Sequence, residues 1–326
     1  MLQGLVEEEE IISFLQALSI KGETSEEIQA AVDSIKLHSV SLSPRTSRPI
    51  IDTCGTGGDS IRTFNISTAS AIVASAAGAC VAKHGNRSSS GICGSADFME
   101  AIGLDLYVSP PIVKESIEKF GLAFLFAPAF HPLMRNVSRA RKKIGVRTIF
   151  NIAGPLSNPC KNITGQVIGV FSRELMPRIA KACEDRIPNF MIVNSSEGLD
   201  EFSTAGDNDV LWVQNAQRRA FQLNGRELGL SSSKPKDLIV HSKEDSIAKT
   251  LSVIYGRSEK IHEDIVILNS AAALLISNLC RTFEEGVSMS RDVIQSGESQ
   301  RQLTNLVMLC GDASKLKIAE EIYLSH

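Results

Sequence analysis

The chain has 326 residues, of which 43% are hydrophobic and 22% charged, and a formal net charge of -3. That is enough apolar material for one large core, or a large one and a small one, and too much for a disordered chain. A protein that grips a polyanion by its phosphates carries a basic surplus, so the acidic balance disfavours nucleic acid as a partner.

The N-terminus, MLQGLVEEEE, places acid where a secretory signal needs a basic flank and an apolar stretch. Residues 7–38 follow a helical period, with Ile11, Phe14, Leu15 and Leu18 on one stripe and Ile28, Ala31, Val32 and Ile35 on a second. Lys21-Gly22-Glu23 is the turn between them, and Thr24 with Glu27 forms a capping box for the second helix. The Ser/Pro/Arg-rich stretch Ser41–Arg48 reads as a connection.

From Pro49 the pattern becomes short apolar strands alternating with helices. Strands are predicted at Ile50–Thr53, Cys80–Lys83, Gln166–Phe171, Phe190–Val193, Val210–Val213 and Ala220–Leu223. Helices are predicted at Ile66–Ala77, at Ser95–Ile102 with Ser95 as cap, and at His131–Ile144 with Pro132 in first position. Further helices fall near 174–184, 243–255 and 263–280. Such alternation implies an α/β fold with a mostly parallel sheet, whose ligands bind beyond the carboxyl ends of the strands. The most apolar segments, Ile66–Ala82 and Ile265–Leu279, carry polar residues and fall short of the roughly 20 residues of a membrane span. Seven scattered cysteines without a CxxC pair argue against a disulfide framework and a zinc site. A cytoplasmic protein is expected.

Three post-strand loops carry candidate chemistry. The first, Cys54-Gly55-Thr56-Gly57-Gly58-Asp59, leads through Thr63 to Asn65-Ile66-Ser67-Thr68 at a helix start. Glycines allow close backbone approach, while the helix N-terminus and hydroxyls favour an anion such as phosphate. It is neither a Walker loop nor a dinucleotide fingerprint; a tight turn with an ordinary cap is the alternative. The second, Lys83-His84-Gly85-Asn86-Arg87, leads to Gly94-Ser95-Ala96-Asp97 and sets two cations and an imidazole at the end of a buried strand. The third, Leu199-Asp200-Glu201-Phe202, pairs carboxylates suited to a hard cation such as Mg2+, although acidic pairs are commonly solvated turns. A basic helix bears Arg135, Arg139, Arg141, Lys142 and Lys143, one arginine of which could turn inward to grip a carboxylate. His131, without an acid or thiol partner, reads as structural or a minor pocket residue.

These segments resemble the anthranilate phosphoribosyltransferases: DTCGTGGD with NISTAS, KHGNR with GSAD, the run from FLFAPAFHPLM to RKKIGVRTIFNIAGPLSNP, and LDEFS. The match runs in order from about Ser13 to near the C-terminus. Pyrimidine nucleoside phosphorylases share the glycine loop but not HGNR or GPLSNP.

The resemblance implies a large α/β domain with a mostly parallel central sheet flanked by helices, plus a small all-helical domain. Residues 1–45 would be a shortened N-terminal part of the helical domain and 49–326 the large domain, with helices around 110–145 packing on the helical one. It also implies Mg2+-dependent transfer of phosphoribosyl from phosphoribosyl pyrophosphate to the amine of anthranilate, in tryptophan biosynthesis. By resemblance Gly55, Gly57, Gly58, Asp59, Thr63, Asn65, Ser67, Thr68, Lys83 and Ser95 bind phosphoribosyl pyrophosphate. Gly55, His84, Asn86, Arg141, Gly154 and Pro155 face anthranilate, and Ser67, Asp200 and Glu201 hold magnesium. No general base is assigned.

Ile92-Cys93 stands where relatives carry a basic residue and a serine, which is expected to weaken the phosphate grip. The family implies a homodimer formed partly by the region before residue 7; this chain has less of it, so a monomer is the alternative. Two rival functions are a nucleoside phosphorylase-like enzyme and a non-catalytic paralogue that binds nucleic acid. Asp200-Glu201 and HGNR oppose the first, and the acidic balance with the retained carboxylate pair opposes the second.

Overall fold

The computed structural model describes residues 1–57, 61–88 and 92–325. Gly58 and Asp59, both assigned to phosphoribosyl pyrophosphate above, lie outside the described residues.

The chain opens with α1 (Glu8–Lys21) and α2 (Ser25–Leu37), divided at Gly22, whose φ of 82° lies in the region glycine adopts without strain. The expected capping box is formed: Thr24 Oγ1 accepts from Glu27 N at 3.2 Å, and Thr24 N donates to Glu27 Oε2 at 2.9 Å. Thr24→Ala is expected to destabilise the protein by about 1 kcal/mol, read as a lower denaturant midpoint at unchanged slope. The buried stripes are Ile11, Leu15 and Leu18 on α1 and Ile28, Val32 and Ile35 on α2.

The main body continues through β1 (Ile50–Asp52), α3 (Ile66–Ala76), β2 (Cys80–Gly85), α4 (Ser95–Ala101), α5 (Pro110–Phe120) and β3 (Leu122–Phe126). It runs on through α6 (Ala127–Phe130), α7 (Arg135–Ile144), α8 (Ile149–Ala153), β4 (Ile163–Gly169), α9 (Met176–Cys183) and β5 (Asn189–Ser195). The antiparallel pair β6 (Asp207–Gln214) and β7 (Gln217–Asn224) follows. The chain ends in α10 (Lys243–Ile254), α11 (Lys260–Ile276), α12 (Phe283–Gln295), α13 (Glu298–Cys310) and α14 (Ala313–Tyr323).

One sheet of order β3-β2-β1-β4-β5-β6-β7 unites the strands, parallel from β3 to β5 and antiparallel beyond. This is the expected α/β class. Alternate residues of each strand serve opposite faces. Ile51, Val81, Phe124, Val167 and Met191 join the core under α3, α4 and α10–α14. Ile168, Phe190 and Ile192 face α1, α2 and α7–α9 on the other side, where Cys80, Ala82, Ala123 and Leu125 face α5. Both faces are covered, which is why the central strands are continuously apolar. Helix α11 is buried all round, between α3, α12 and the sheet, so its hydrophobicity reflects a core and not a membrane. Among the described residues no helix is long and apolar enough to cross a membrane.

Local expectations are corrected at three places. The segment from His131 does not run as one helix: Pro132–Met134 is a 3-10 turn, and α7 begins at Arg135. Pro128 and Pro132 each lack the N–H that would let an α-helix run through. The cap of α4 is Gly94, not Ser95; Gly94 N donates to Asp97 Oδ2 at 2.9 Å, while the Ser95 hydroxyl donates to Asn86 O at 3.2 Å. Strand β3 and helices α12–α14 add to the predicted elements.

Candidate active site

β1 lies between β2 and β4, so strand order reverses there and the loops beyond the two strands part to leave a crevice. The cleft at that point has a volume of about 640 Å3, ordinary for a small-molecule site.

At its floor the glycine loop leaves β1. Thr56 N donates to Gly169 O at 2.9 Å and Gly57 N to Asp200 Oδ2 at 2.6 Å, which ties the loop to β4 and to the segment after β5. A Cβ on Gly55 would lie 2.5 Å from Asp200 Oδ2. A Cβ on Gly169 would fall on the Asp200 backbone carbonyl. The two glycines thus form a slot for Asp200. Its neighbours hold it there: Leu199 and Phe202 are fully buried, and Asn269 of α11 bonds both Phe202 N and Phe202 O, at 3.0 and 2.8 Å. Burial pushes the Asp200 carboxyl up, with Gly57 N–H and the charges of Arg147 and Lys83 acting in the opposite direction.

Beside that floor Lys83, at the end of β2, is 2% exposed. Its ammonium donates to Thr53 O at 2.8 Å and Ser67 Oγ at 3.2 Å, which aims a buried cation at the N-terminus of α3. Asn65 and Ser67 from that terminus, with Asn86 and Ser95, line the same wall. Arg87 does not join them. Its guanidinium bonds Asp97 at 2.9 Å and Glu100 at 2.7 Å, so one of the two cations of this loop is committed to α4. Ile92 packs against the main core, and Cys93 Sγ accepts from Asn65 Nδ2 at 3.6 Å.

The far end of the cleft is formed by α7, α8 and the turn after α8. Arg141 lies 5.6 Å from the centre of the Phe150 ring and makes no ion pair among the described residues. Burial lowers its pKa, the mark of a charge held without a partner. Gly154, Pro155 and His84 share this end. His84 meets His131 edge-on with ring centres 5.0 Å apart. Burial holds His84 well below the usual imidazole range and His131 down to about 4, so both are neutral near pH 7.

Two assigned residues do not line the cleft. Thr68 is fully buried in the first turn of α3, and Thr63 forms an isolated bridge to Ile239. Every other assigned residue within the described segments does line it.

The model of the glycosyl transferase family, a/b domain, matches residues 47–300. Anthranilate phosphoribosyltransferase of Nitrosopumilus maritimus is 41% identical over 97% of this chain and 91% of its own length. That of Acetivibrio thermocellus is also 41% identical, over 94% of this chain and 88% of its own. The chain belongs to the anthranilate phosphoribosyltransferase family. The family is one of pentosyltransferases, and its solved structures superpose closely. The Thermus thermophilus anthranilate phosphoribosyltransferase matches with a TM-score of 0.89 at 36% identity, covering 95% of this chain and 92% of that one. The Saccharomyces cerevisiae enzyme in complex with phosphoribosyl pyrophosphate and Mg matches with a TM-score of 0.84 at 31% identity, covering 93% and 85%.

Cleft residues beyond those the motifs assign include Cys54, Thr56, Met134, Phe150 and Asn151. His131, expected to be structural or a minor pocket residue, lines the cleft, 5% exposed, with neither ring nitrogen partnered among the described residues. Cys54 and Thr56 stand inside the first candidate loop, and the others fall within the family's motif runs.

Two donor sets are candidates for magnesium. Asp52, Cys54 and His84 lie within 4.8 Å of one another through their ligand atoms. The thiol sulfur is a soft donor and the imidazole nitrogen a borderline one, and Asp52 already accepts three hydrogen bonds, so this set does not suit a hard cation. Ser67, Asp200 and Glu201 supply only oxygen on the cleft wall. The carboxyl of Asp200, raised by burial, is the kind of group a cation stabilises, so this second set fits.

Proposed function

We propose that the chain transfers the phosphoribosyl group of phosphoribosyl pyrophosphate to the amine of anthranilate, releasing pyrophosphate and forming N-(5-phosphoribosyl)anthranilate. The observation that carries the reading is the joint presence in one cleft of three groups. These are an anion cradle around Lys83 and the α3 N-terminus, an oxygen-donor pair at Asp200 and Glu201, and the unpaired Arg141 at the opposite end.

In this reading Lys83, Asn65, Ser67 and Ser95 bind the phosphates and ribose, together with the glycine loop. Gly58 and Asp59 are included by family resemblance. Ser67, Asp200 and Glu201 would hold Mg2+, which when bound supplies charge to offset the leaving pyrophosphate. Arg141 receives the anthranilate carboxylate as a two-pronged donor, with Phe150 holding its guanidinium plane. His84, Asn86, Gly154 and Pro155 shape the aromatic slot. His84 and His131, kept neutral by burial, leave two arginines of α7, Arg141 and Arg135, as the cations lining the cleft from the helical side. Asp200 and Glu201 are the only carboxylates lining the cleft among the described residues, so none stands beside Arg141 to take the amine proton. Rate enhancement then rests on positioning and electrostatics, with the proton lost after the new bond begins to form.

The small helical domain of this reading comprises α1 and α2 together with α7 and α8, which they contact. Phe14, Ile20 and Leu37 on α1 and α2 are 51%, 88% and 79% exposed, and in this reading the homodimer would cover exposed apolar residues of these helices.

The deciding experiment follows anthranilate fluorescence as phosphoribosyl pyrophosphate is added, with magnesium and then with chelator. Magnesium-dependent loss of signal supports the reading; a folded protein that leaves the signal unchanged overturns it. Arg141→Ala is expected to raise the KM for anthranilate roughly 10- to 100-fold, the worth of one charge-assisted pair. The KM for phosphoribosyl pyrophosphate should stay near wild type, and equal losses for both substrates would contradict the assignment.

A further inference from the structure

Three buried polar side chains lie beneath the cleft without lining it. Asp52 ends β1, Gln166 is its register partner on β4, and Asn158 follows the Pro155–Ser157 turn. They are 0%, 1% and 3% exposed. Polar groups buried this deeply are retained when hydrogen-bonded, and each of the three makes at least one such bond here. Asn158 Nδ2 donates to Asp52 Oδ2 at 2.8 Å and to Ala82 O at 2.7 Å, while its Oδ1 accepts from Cys160 N at 2.9 Å. Asp52 Oδ1 accepts from Thr53 N at 2.7 Å and His84 N at 3.1 Å. Gln166 Nε2 donates to Pro155 O at 2.9 Å.

The connections run to both halves of the cleft. Thr53 N opens the glycine loop, and Thr53 O receives the Lys83 ammonium. His84 N places the imidazole at the aromatic end, and Pro155 belongs to the turn that closes that end. One carboxylate therefore seats the start of the phosphate loop, the backbone of His84 and, through Asn158, the turn carrying Gly154 and Pro155. Gln166 fixes the same turn at its other end.

We propose that Asp52, Asn158 and Gln166 are positioning residues that set the spacing between the two substrate halves of the cleft, an inference that rests on the transferase reading above. None touches a substrate. Their effect is transmitted by backbone placement, and a displacement of about 1 Å between reacting groups can cost on the order of 100-fold.

The test exploits the polarity of the pair. Asn158→Asp sets two carboxylates face to face, and Asp52→Asn leaves one amide oxygen to serve either Asn158 Nδ2 or the Thr53 and His84 N–H groups, so each variant loses part of the network. The double variant Asp52→Asn, Asn158→Asp restores one donor opposite one acceptor, with Ala82 O now facing a carboxylate oxygen in place of its donor. Binding of anthranilate and of phosphoribosyl pyrophosphate is measured separately by calorimetry, alongside turnover and thermal melting. Each single variant is expected to lose at least about tenfold in kcat/KM, and the double variant to recover most of that loss. Gln166→Glu, which replaces the donor to Pro155 O with an acceptor and buries an acidic group, is expected to weaken anthranilate binding severalfold while phosphoribosyl pyrophosphate binding stays near wild type.

A double variant that melts like wild type yet is no more active than either single variant overturns the proposal. So does a Gln166→Glu protein whose two affinities fall together. A wild-type protein that binds neither substrate would instead remove the transferase reading, and this inference with it.

Discussion

Gly169→Ala is expected to lower kcat/KM by at least roughly 100-fold in a protein that still folds. The new methyl would occupy the position of the Asp200 backbone carbonyl, and neither chain can yield cheaply. On one side β4 is locked in register with β1 and β5; on the other, Leu199 and Phe202 are buried and clamped by Asn269. The compromise must fall on Asp200 and, through its bond to Gly57 N, on the glycine loop. Circular dichroism and melting establish the fold, and steady-state rates over a magnesium series establish the site. Wild-type turnover would mean that Asp200 does not need this placement.

Asp200→Asn combined with Glu201→Gln is expected to reduce turnover by roughly 100- to 1,000-fold, the scale for deleting a preorganised charge aimed at the reacting centre. Shape is preserved, and the amide oxygen that replaces a carboxylate oxygen at position 200 could still accept from Gly57 N, so the loop keeps its anchor. Any remaining rate should no longer respond to magnesium or chelator. Rates that stay fully magnesium-dependent would remove these carboxylates from the cation site and return attention to other oxygen donors on the cleft wall.

Both predictions centre on Asp200, where local sequence is a weak guide. An adjacent Asp-Glu pair is commonly a solvated turn. Here the apolar Leu199 and Phe202 on either side draw the pair down against the sheet, and burial then raises the Asp200 carboxyl. Gly169 reads as an ordinary strand residue because nothing nearby in sequence marks what crosses it. Its constraint comes from a segment thirty-one positions later in the chain.

Much else is legible from local patterns. The α1–α2 hairpin and the strand–helix alternation from β1 to α4, with α3 starting after the glycine loop, follow from periodicity, caps and glycine spacing. These depend on interactions within a few residues. The cap of α4 escapes this reasoning because the Ser95 hydroxyl is drawn to Asn86 O across the loop. Arg87 escapes it because Asp97 and Glu100, one turn apart on α4, outcompete the cleft for its charge.

Composition and hydrophobic period thus determined the α/β class, and the motifs with the resemblance they carry determined the family membership and half of the residues that line the cleft. Only the tertiary structure decided which of them meet. It sent Arg87 and Thr68 away from the cleft, left Arg141 unpaired at one end, and joined Asp52, Gln166 and Asn158 beneath it. Helix caps and periodicity arise from neighbours along the chain, whereas the slot around Asp200 and the buried polar network arise from strands and turns brought together by the sheet.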